Sequence, residues 1–353
     1  MLKRLVMWTG CLSWCILAVA NIRAEDQKPN PAGTAQPVQA ETRKEEPADE
    51  KQSAQTEQQD PAEPDAVQEN QQPGPLVLPK PAPEVRVIGE LPWHIDYSAA
   101  YRQANTEHKQ LLLFFRSEKD LLTAGQLEQN ALSRPELKDS LSKFVRVVLF
   151  TSAVAPVDKD PKPDTKPVKL LDFPCFAHMQ GQPGLAIVDL QDKNDHLFGK
   201  CISAHPFTSN TLNSVGTVKT MLELPRGTIT QRTLTYVLRT HPEQPASVWG
   251  QGNPLLFEQC RVASQLMVNY GSVGHHDWGN RSAYVGGQFG SSPMEVASMG
   301  AGNTLFEVAH SVVNLWRGSG VHWGMMITPN RHFGYDMVQS PSGTWFANGI
   351  FVP

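Results

Sequence analysis

The stretch WRGSGVHWGMM, residues 316–326, holds a histidine whose value depends on what the rest of the chain brings near it. His322 is either a group that does chemistry or a polar side chain in a turn where a helix gives way to a strand. Other routes to chemistry are few. Once the N-terminal segment is set aside, the cysteines are Cys175, Cys201 and Cys260, widely spaced and with no CxxC pair, which removes a zinc ribbon and a dithiol redox centre. There is no His-Glu-x-x-His run, no Gly-x-Ser-x-Gly elbow, and no cysteine beside a convincing base. GSGVHWG lacks both the spacing and the preceding buried strand of a dinucleotide fingerprint, so no nucleotide cofactor is expected. Asn280-Arg281-Ser282 fits a glycosylation acceptor pattern, which nothing else in the chain develops. His205, His275, His310 and His332 read as solvated or hydrogen-bonded side chains.

The elements that must position His322 follow from periodicity. TITQRTLTYVLRTHPEQPASVWG predicts a helix capped by Thr228 or Thr230, with Leu234, Val237 and Leu238 on one face and Pro242 beyond its end. NPLLFEQCRVASQLMVNYG predicts a second, with Phe257, Cys260, Ala263, Met267 and Tyr270 on one stripe and Gly271 ending it. SVGHHDWGNRSAYVGGQFGSSPMEVASMG reads as irregular and glycine-rich. NTLFEVAHSVVNLWRGSG predicts a third helix that turns Trp316 into the core. HFGYDMVQ and GTWFANGIFV then form an antiparallel hairpin across SPSG.

In their order, LRTHPEQPAS, NYGSVGHH, PMEVA, VVNLWRGSGVHWGMM and the terminal FGYDMV…GTWFANGIF resemble the CAP superfamily, the cysteine-rich secretory, antigen-five and pathogenesis-related type of domain. In bacterial members the fourth stretch follows a Trp-x-x-Ser-x-x-His pattern. The resemblance covers about residues 226–353 and implies an αβα sandwich with a shallow cleft where two histidines and acidic residues converge. His322 matches the second cleft histidine, His276 or His275 the first, and Glu295 the first cleft glutamate. Two imidazoles distant in sequence, joined by a carboxylate, can hold a divalent metal such as zinc, so the resemblance implies a metal set of His276, His322 and Glu295. Glu295 would serve as a ligand or as a partner that fixes a histidine tautomer. Family members often carry another glutamate shortly after the helix-three Trp. Here Arg317, Gly318 and Ser319 stand there, so any metal would be held loosely.

Upstream, KQLLLFFRS is a short apolar run of the kind buried on both faces of a sheet. It follows a helix in WHIDYSAAYRQANTEHK, with Tyr97, Ala100, Tyr101 and Ala104 on one stripe. Helical segments in LLTAGQLEQNAL and PELKDSLSKF come next, then the strand VRVVLF, a Pro- and Lys-rich insertion over residues 154–169, and a further strand in GQPGLAIVDLQDKND. Alternating helices and strands imply a mainly parallel sheet. The stretch from Trp93 to about Leu224 resembles a thioredoxin-like domain, with Pro183 at the place of that family's cis-proline. Where the family's redox cysteines would lie, this chain has RSEKDLLTAGQ, so disulfide exchange is excluded and a binding or packing unit is expected.

The N-terminus has Lys3 and Arg4, an apolar run from Leu5 to Ala20 and then small residues, the layout of a secretory signal peptide cleaved after Ala20. As an uncleaved anchor the run falls short of the roughly 20 residues a span requires. Residues 25–92 hold no aromatic residue and are dominated by Pro, Gln, Glu, Asp, Lys and Ala, which predicts disorder and a spacer role. Export permits a disulfide, Cys175 to Cys201 being the favoured pair, although three buried free thiols would serve equally well. A formal charge of −4 with no basic block after the signal argues against nucleic acid as the partner.

The expected organisation is α/β: signal peptide 1–20, linker 21–92, thioredoxin-like domain 93–224 without redox cysteines, and CAP-like sandwich 225–353. The expected function is a secreted or periplasmic, non-catalytic binding protein of the bacterial envelope. Its partner would be an extracytoplasmic protein, lipid or envelope ligand, and it would touch the membrane only through the cleaved signal. The alternative is a metal-dependent, protease-like hydrolase with Glu295 as general base.

Overall fold

The structure, a computed structural model, describes residues 84–155, 167–212 and 214–353. The expected signal peptide, the linker up to residue 83 and most of the Pro- and Lys-rich insertion lie outside the described residues. Among those described, no helix is long and apolar enough to cross a membrane. Strand structure already begins inside the stretch read as linker: β1 (Val85–Ile88) and β2 (Leu91–His94) form an antiparallel pair. Gly89 turns between them at φ +62, where a Cβ would also meet the Ser133 backbone at 2.8 Å.

The chain continues through α1 (Tyr97–Glu107), β3 (Leu111–Arg116), α2 (Leu121–Leu127), α3 (Lys138–Ser142), β4 (Val145–Phe150), β5 (Gly184–Val188), β6 (Cys201–Pro206) and α4 (Val215–Leu222). Asp96 and Asp120 cap α1 and α2 through their side chains. The six strands lie in the order β1-β2-β4-β3-β5-β6. This sheet is mixed, which corrects the expectation of a mainly parallel one: β4 runs parallel to β2 and β3, whereas β5 is antiparallel to both β3 and β6. Among the described residues of the route between β4 and β5 there are short helical turns, Leu170–Asp172 and Pro174–Met179, and no crossover helix of the kind that returns a chain in the parallel sense. Pro183 precedes β5 through a trans bond, and the described residues contain no cis peptide. Cys175, Cys201 and Cys260 are all free, and Cys175 is exposed.

The second part comprises α5 (Ile229–Arg239), β7 (Gln251–Gly252), α6 (Pro254–Tyr270), α7 (Trp278–Phe289), β8 (Met294–Gly300), α8 (Leu305–Gly318), α9 (Gly320–Met326), β9 (His332–Gln339) and β10 (Trp345–Val352). Its sheet has the order β7-β9-β10-β8, antiparallel except for the short β7–β9 pair. The glycine-rich segment expected to be irregular therefore contains a three-turn helix and an edge strand. Glycine's low helix propensity is overridden where Val285 of α7 packs against Leu256, Cys260, Ile350 and Val352. Tyr270, placed on the buried stripe of α6, is instead exposed in the last turn of the helix.

Strand alternation gives the second sheet two buried faces. Phe333, Tyr335 and Met337 of β9 and Val296 of β8 meet Leu234 and Val237 of α5 and Val312 and Trp316 of α8. Ile350 and Val352 point the other way, toward α6 and α7. Gly334 lets α6 lie directly on β9, since a Cβ there would sit 2.3 Å from the carbonyl carbon of Leu256. The first face does not end at its own helices. The same cluster runs on through Val218 and Met221 of α4 to Leu112, Phe114, Leu185 and Ile187 of the first sheet. The opposite face of that sheet packs Leu113, Phe115, Val147 and Ala186 against Ala100 and Ala104 of α1.

Two charged groups are sealed into this core. Arg232 on α5 is 2% exposed and has no carboxylate in contact. Its guanidinium donates to the Met221, Leu224 and Pro225 carbonyls, at the end of α4, and to Ser203 Oγ on β6. Burial lowers its pKa to about 9. Asp336 on β9 accepts from Thr230 Oγ1 at 2.6 Å, Gln231 Nε2 at 2.9 Å and the Met337 amide at 2.8 Å. Burial outweighs these bonds and raises its carboxyl to about 6.

Arg232→Met is expected to destabilise the protein by roughly 3–5 kcal/mol in denaturant melts, because it orphans three buried carbonyls and a hydroxyl. Asp336 has a higher pKa folded than unfolded, so its stabilisation is complete below about pH 4 and is lost as pH rises through about 6. Melts of Asp336→Asn across that window should therefore show a stability difference from the parent that changes with pH. A constant offset would refute the assignment.

Candidate functional site

Gly271, left-handed at φ +66, ends α6 and turns the chain into the loop that carries both candidate histidines. They part company there. His276 folds back over the helix end, its ring stacked on Tyr270 with centroids 4.4 Å apart and its Nε2 3.1 Å from the Ser272 carbonyl. His275 points the other way, with Nδ1 2.8 Å from Glu295 Oε1. The histidine that meets the acid is thus His275, while His276 of the expected metal set stacks on Tyr270 instead. Adjacent loop residues diverge in direction, and nothing in the letters His275-His276 decides which one turns inward.

Glu295 lies in β8, directly opposite Ile350 of β10, on the face covered by α6 and α7. It is 4% exposed, and its second oxygen accepts from Arg281 Nη1 at 2.5 Å. Arg281, in the first turn of α7, is itself 5% exposed. It also donates through Nε and Nη2 to the His276 carbonyl at 3.2 and 3.0 Å and lies over the Trp278 ring at 5.2 Å. One guanidinium therefore neutralises the buried carboxylate and clamps the histidine loop. With Oε2 taken by Arg281, Oε1 accepts the Nδ1 proton of His275, which leaves Nε2 of a half-exposed ring free.

His322 comes from the other side. Ser319 caps α9, its hydroxyl accepting the His322 amide at 3.4 Å, and the ring faces His275 edge-on with centroids 6.3 Å apart. His322 thus lies in a helix rather than a turn. Burial, then the charge of His275, lowers its pKa and favours its neutral form. The α9 helix is pinned by Glu243, which accepts Trp323 Nε1 at 2.8 Å and pairs with Arg317. His241 packs on the same indole at 5.1 Å. Arg317 is therefore engaged with Glu243.

Two imidazoles sharing a tetrahedral ion at about 2.0–2.1 Å would have ring centres roughly 5 Å apart, closer than observed, and both oxygens of Glu295 are committed. Among the described residues no group of three or more His, Cys, Asp or Glu side chains is placed to hold a metal ion. No hydroxyl or thiol among them hydrogen-bonds to either ring. What remains is a carboxylate-oriented imidazole beside a second, neutral one, able to donate and accept hydrogen bonds at a half-exposed surface.

Sequence reasoning passed over Arg281, Glu243 and Trp323. Arg281 carried only a glycosylation pattern as its signal, and nothing tied it to an acid fourteen positions on. No family model matches the chain, and neither the curated proteins nor the solved structures contain a significant match to it.

Removing the guanidinium leaves a buried carboxylate without its countercharge. Arg281→Met is expected to cost roughly 3–5 kcal/mol, and Arg281→Met with Glu295→Leu distinctly less than the sum of the two single changes. A double-mutant cycle showing simple additivity would mean that the pair is not coupled.

Proposed function

We propose that the protein is an exported, non-catalytic binding protein whose recognition site is the His275–His322 hollow backed by Glu295 and Arg281. The observation that carries this reading is the His275–Glu295 bond. It uses a buried ion pair to fix the tautomer and direction of one imidazole, and among the described residues no hydroxyl or thiol hydrogen-bonds to that ring. Such an arrangement suits recognition of a small polar ligand, an envelope component for instance, through directed hydrogen bonds. Export rests on the N-terminal sequence.

The two family likenesses belong to the same proposal. Helices on both faces of the β7-β9-β10-β8 sheet, with the histidine loop after α6 and His322 after α8, agree with a CAP-like sandwich. The strand order β2-β4-β3-β5-β6 agrees with a thioredoxin-like unit. The turn after β3 carries no cysteine, and burial raises the thiol pKa of Cys175, Cys201 and Cys260. That unit is accordingly read as a redox-inactive binding module.

The competing hydrolase reading has one supporting feature, the free Nε2 of an imidazole held by a carboxylate, which is a possible general base. A thermal-shift screen of small polar compounds and zinc, run beside casein and p-nitrophenyl ester assays, separates the two. The expected result is one or more compounds whose Tm rise is lost in the His275→Ala/His322→Ala double variant, with no turnover above that variant's level. Turnover abolished by Glu295→Gln would instead establish the hydrolase. A screen whose hits are indifferent to both histidines would remove the hollow as the site.

A further inference from the structure

Away from the histidine hollow, a groove of about 870 Å³ runs along α8, facing the helical turn Phe207–Ser209 that follows β6. That volume falls within the range of small-ligand and peptide-side-chain sites. Glu307, His310, Ser311 and Asn314 follow one another along one wall, and Ser209 and Gln180 stand on the other. The walls are tied together where Gln180 Nε2 reaches the Asn303 carbonyl at 3.5 Å.

The lining chemistry is one-sided. No lysine or arginine contributes to it, and its carboxylate is Glu307, whose Oε2 also accepts the Asn303 amide at 2.7 Å and whose Oε1 is left to face a ligand. Burial lowers the pKa of His310, with the charge of His241 adding to the effect, so this imidazole supplies no cation near neutral pH. Ser209 donates its single hydroxyl hydrogen to the Pro206 carbonyl at 2.6 Å, and Thr211 Oγ1, held in turn by His205, lies 2.9 Å from the same oxygen. Its orientation is therefore fixed and it offers the groove an acceptor. Phe306, the aromatic residue of the lining, is 5% exposed, so the groove has no platform on which a sugar ring would stack. A phosphate or carboxylate would find no countercharge. A cation rich in N–H donors finds both a carboxylate and a fixed acceptor.

We propose that this groove binds an extended peptide segment bearing Lys or Arg side chains, with the cation set against Glu307 and its N–H donors against Ser209. The site is independent of the histidine hollow and does not rest on its reading.

Fluorescence anisotropy at low ionic strength, with the full-length protein and labelled Ala-Lys-Ala-Arg-Ala and Ala-Glu-Ala-Asp-Ala peptides, tests it. The basic peptide should bind and the acidic one should not. Glu307→Gln should weaken the basic peptide roughly three- to five-fold, and Asn314→Lys, which puts a like charge on the same wall, should weaken it further. Glu136→Gln removes the same charge from an exposed site outside the groove and should leave binding unchanged. This control separates the groove from the general attraction of a chain of net charge −4 for basic peptides. Equal binding of both peptides, binding of neither, indifference to both groove variants, or an equal effect of Glu136→Gln would each overturn the proposal.

Discussion

Arg232 is the constraint on which the arrangement of the described chain depends. A buried guanidinium needs compensation, and here it comes from buried carbonyls at and just past the end of α4 and one serine rather than from a carboxylate. The compensating atoms come from the first sheet's side, and the guanidinium is carried by the first helix of the second part. Satisfying one charge thereby sets where α5 lies against β6 and α4. The apolar cluster around it then runs unbroken from Phe114 and Ile187 to Tyr335 and Trp316. The two sheets share a core because their boundary is filled by side chains from both.

The histidine hollow follows the same logic on a smaller scale. Glu295 sits on an inward-facing strand position, where an isolated carboxylate would be costly, and Arg281 at the start of α7 makes that burial tolerable. Because the same guanidinium holds the His276 carbonyl, neutralising the acid and setting the loop are one event. On the far side, Glu243 does for α9 what Arg281 does for the loop. The two imidazoles are therefore held by two separate ion pairs, and their separation is a property of the packed α6, α7 and α9 framework.

Much of the scaffold was legible in the letters. The helices at Tyr97–Glu107, Ile229–Arg239, Pro254–Tyr270 and Leu305–Gly318 announce themselves through apolar spacing and caps, and β3, β4, β9 and β10 through short apolar or alternating runs. Other elements were silent for physical reasons. The helix over Trp278–Phe289 is glycine-rich and forms because a few side chains bury against α6 and β10. The strand over Cys201–Pro206 is hidden by its mixed composition and becomes a strand because β5 offers it an edge. The direction of β5 itself was misjudged because alternation shows that a strand exists but carries no sign.

By itself the sequence determined which residue types were available for chemistry: histidines and one acid in separate segments, no paired cysteines, and no hydrolase motif. It also fixed the helical phase that buries Trp316, since that phase is a local property of 3.6-residue periodicity. Only the tertiary structure decided that His275 and not His276 turns to the acid, that Arg281 is the acid's partner, and that the ring of His322 comes to face that of His275. Those choices depend on contacts between segments far apart in the chain, and spacing along a sequence does not record which distant side chain will supply a buried charge with its countercharge.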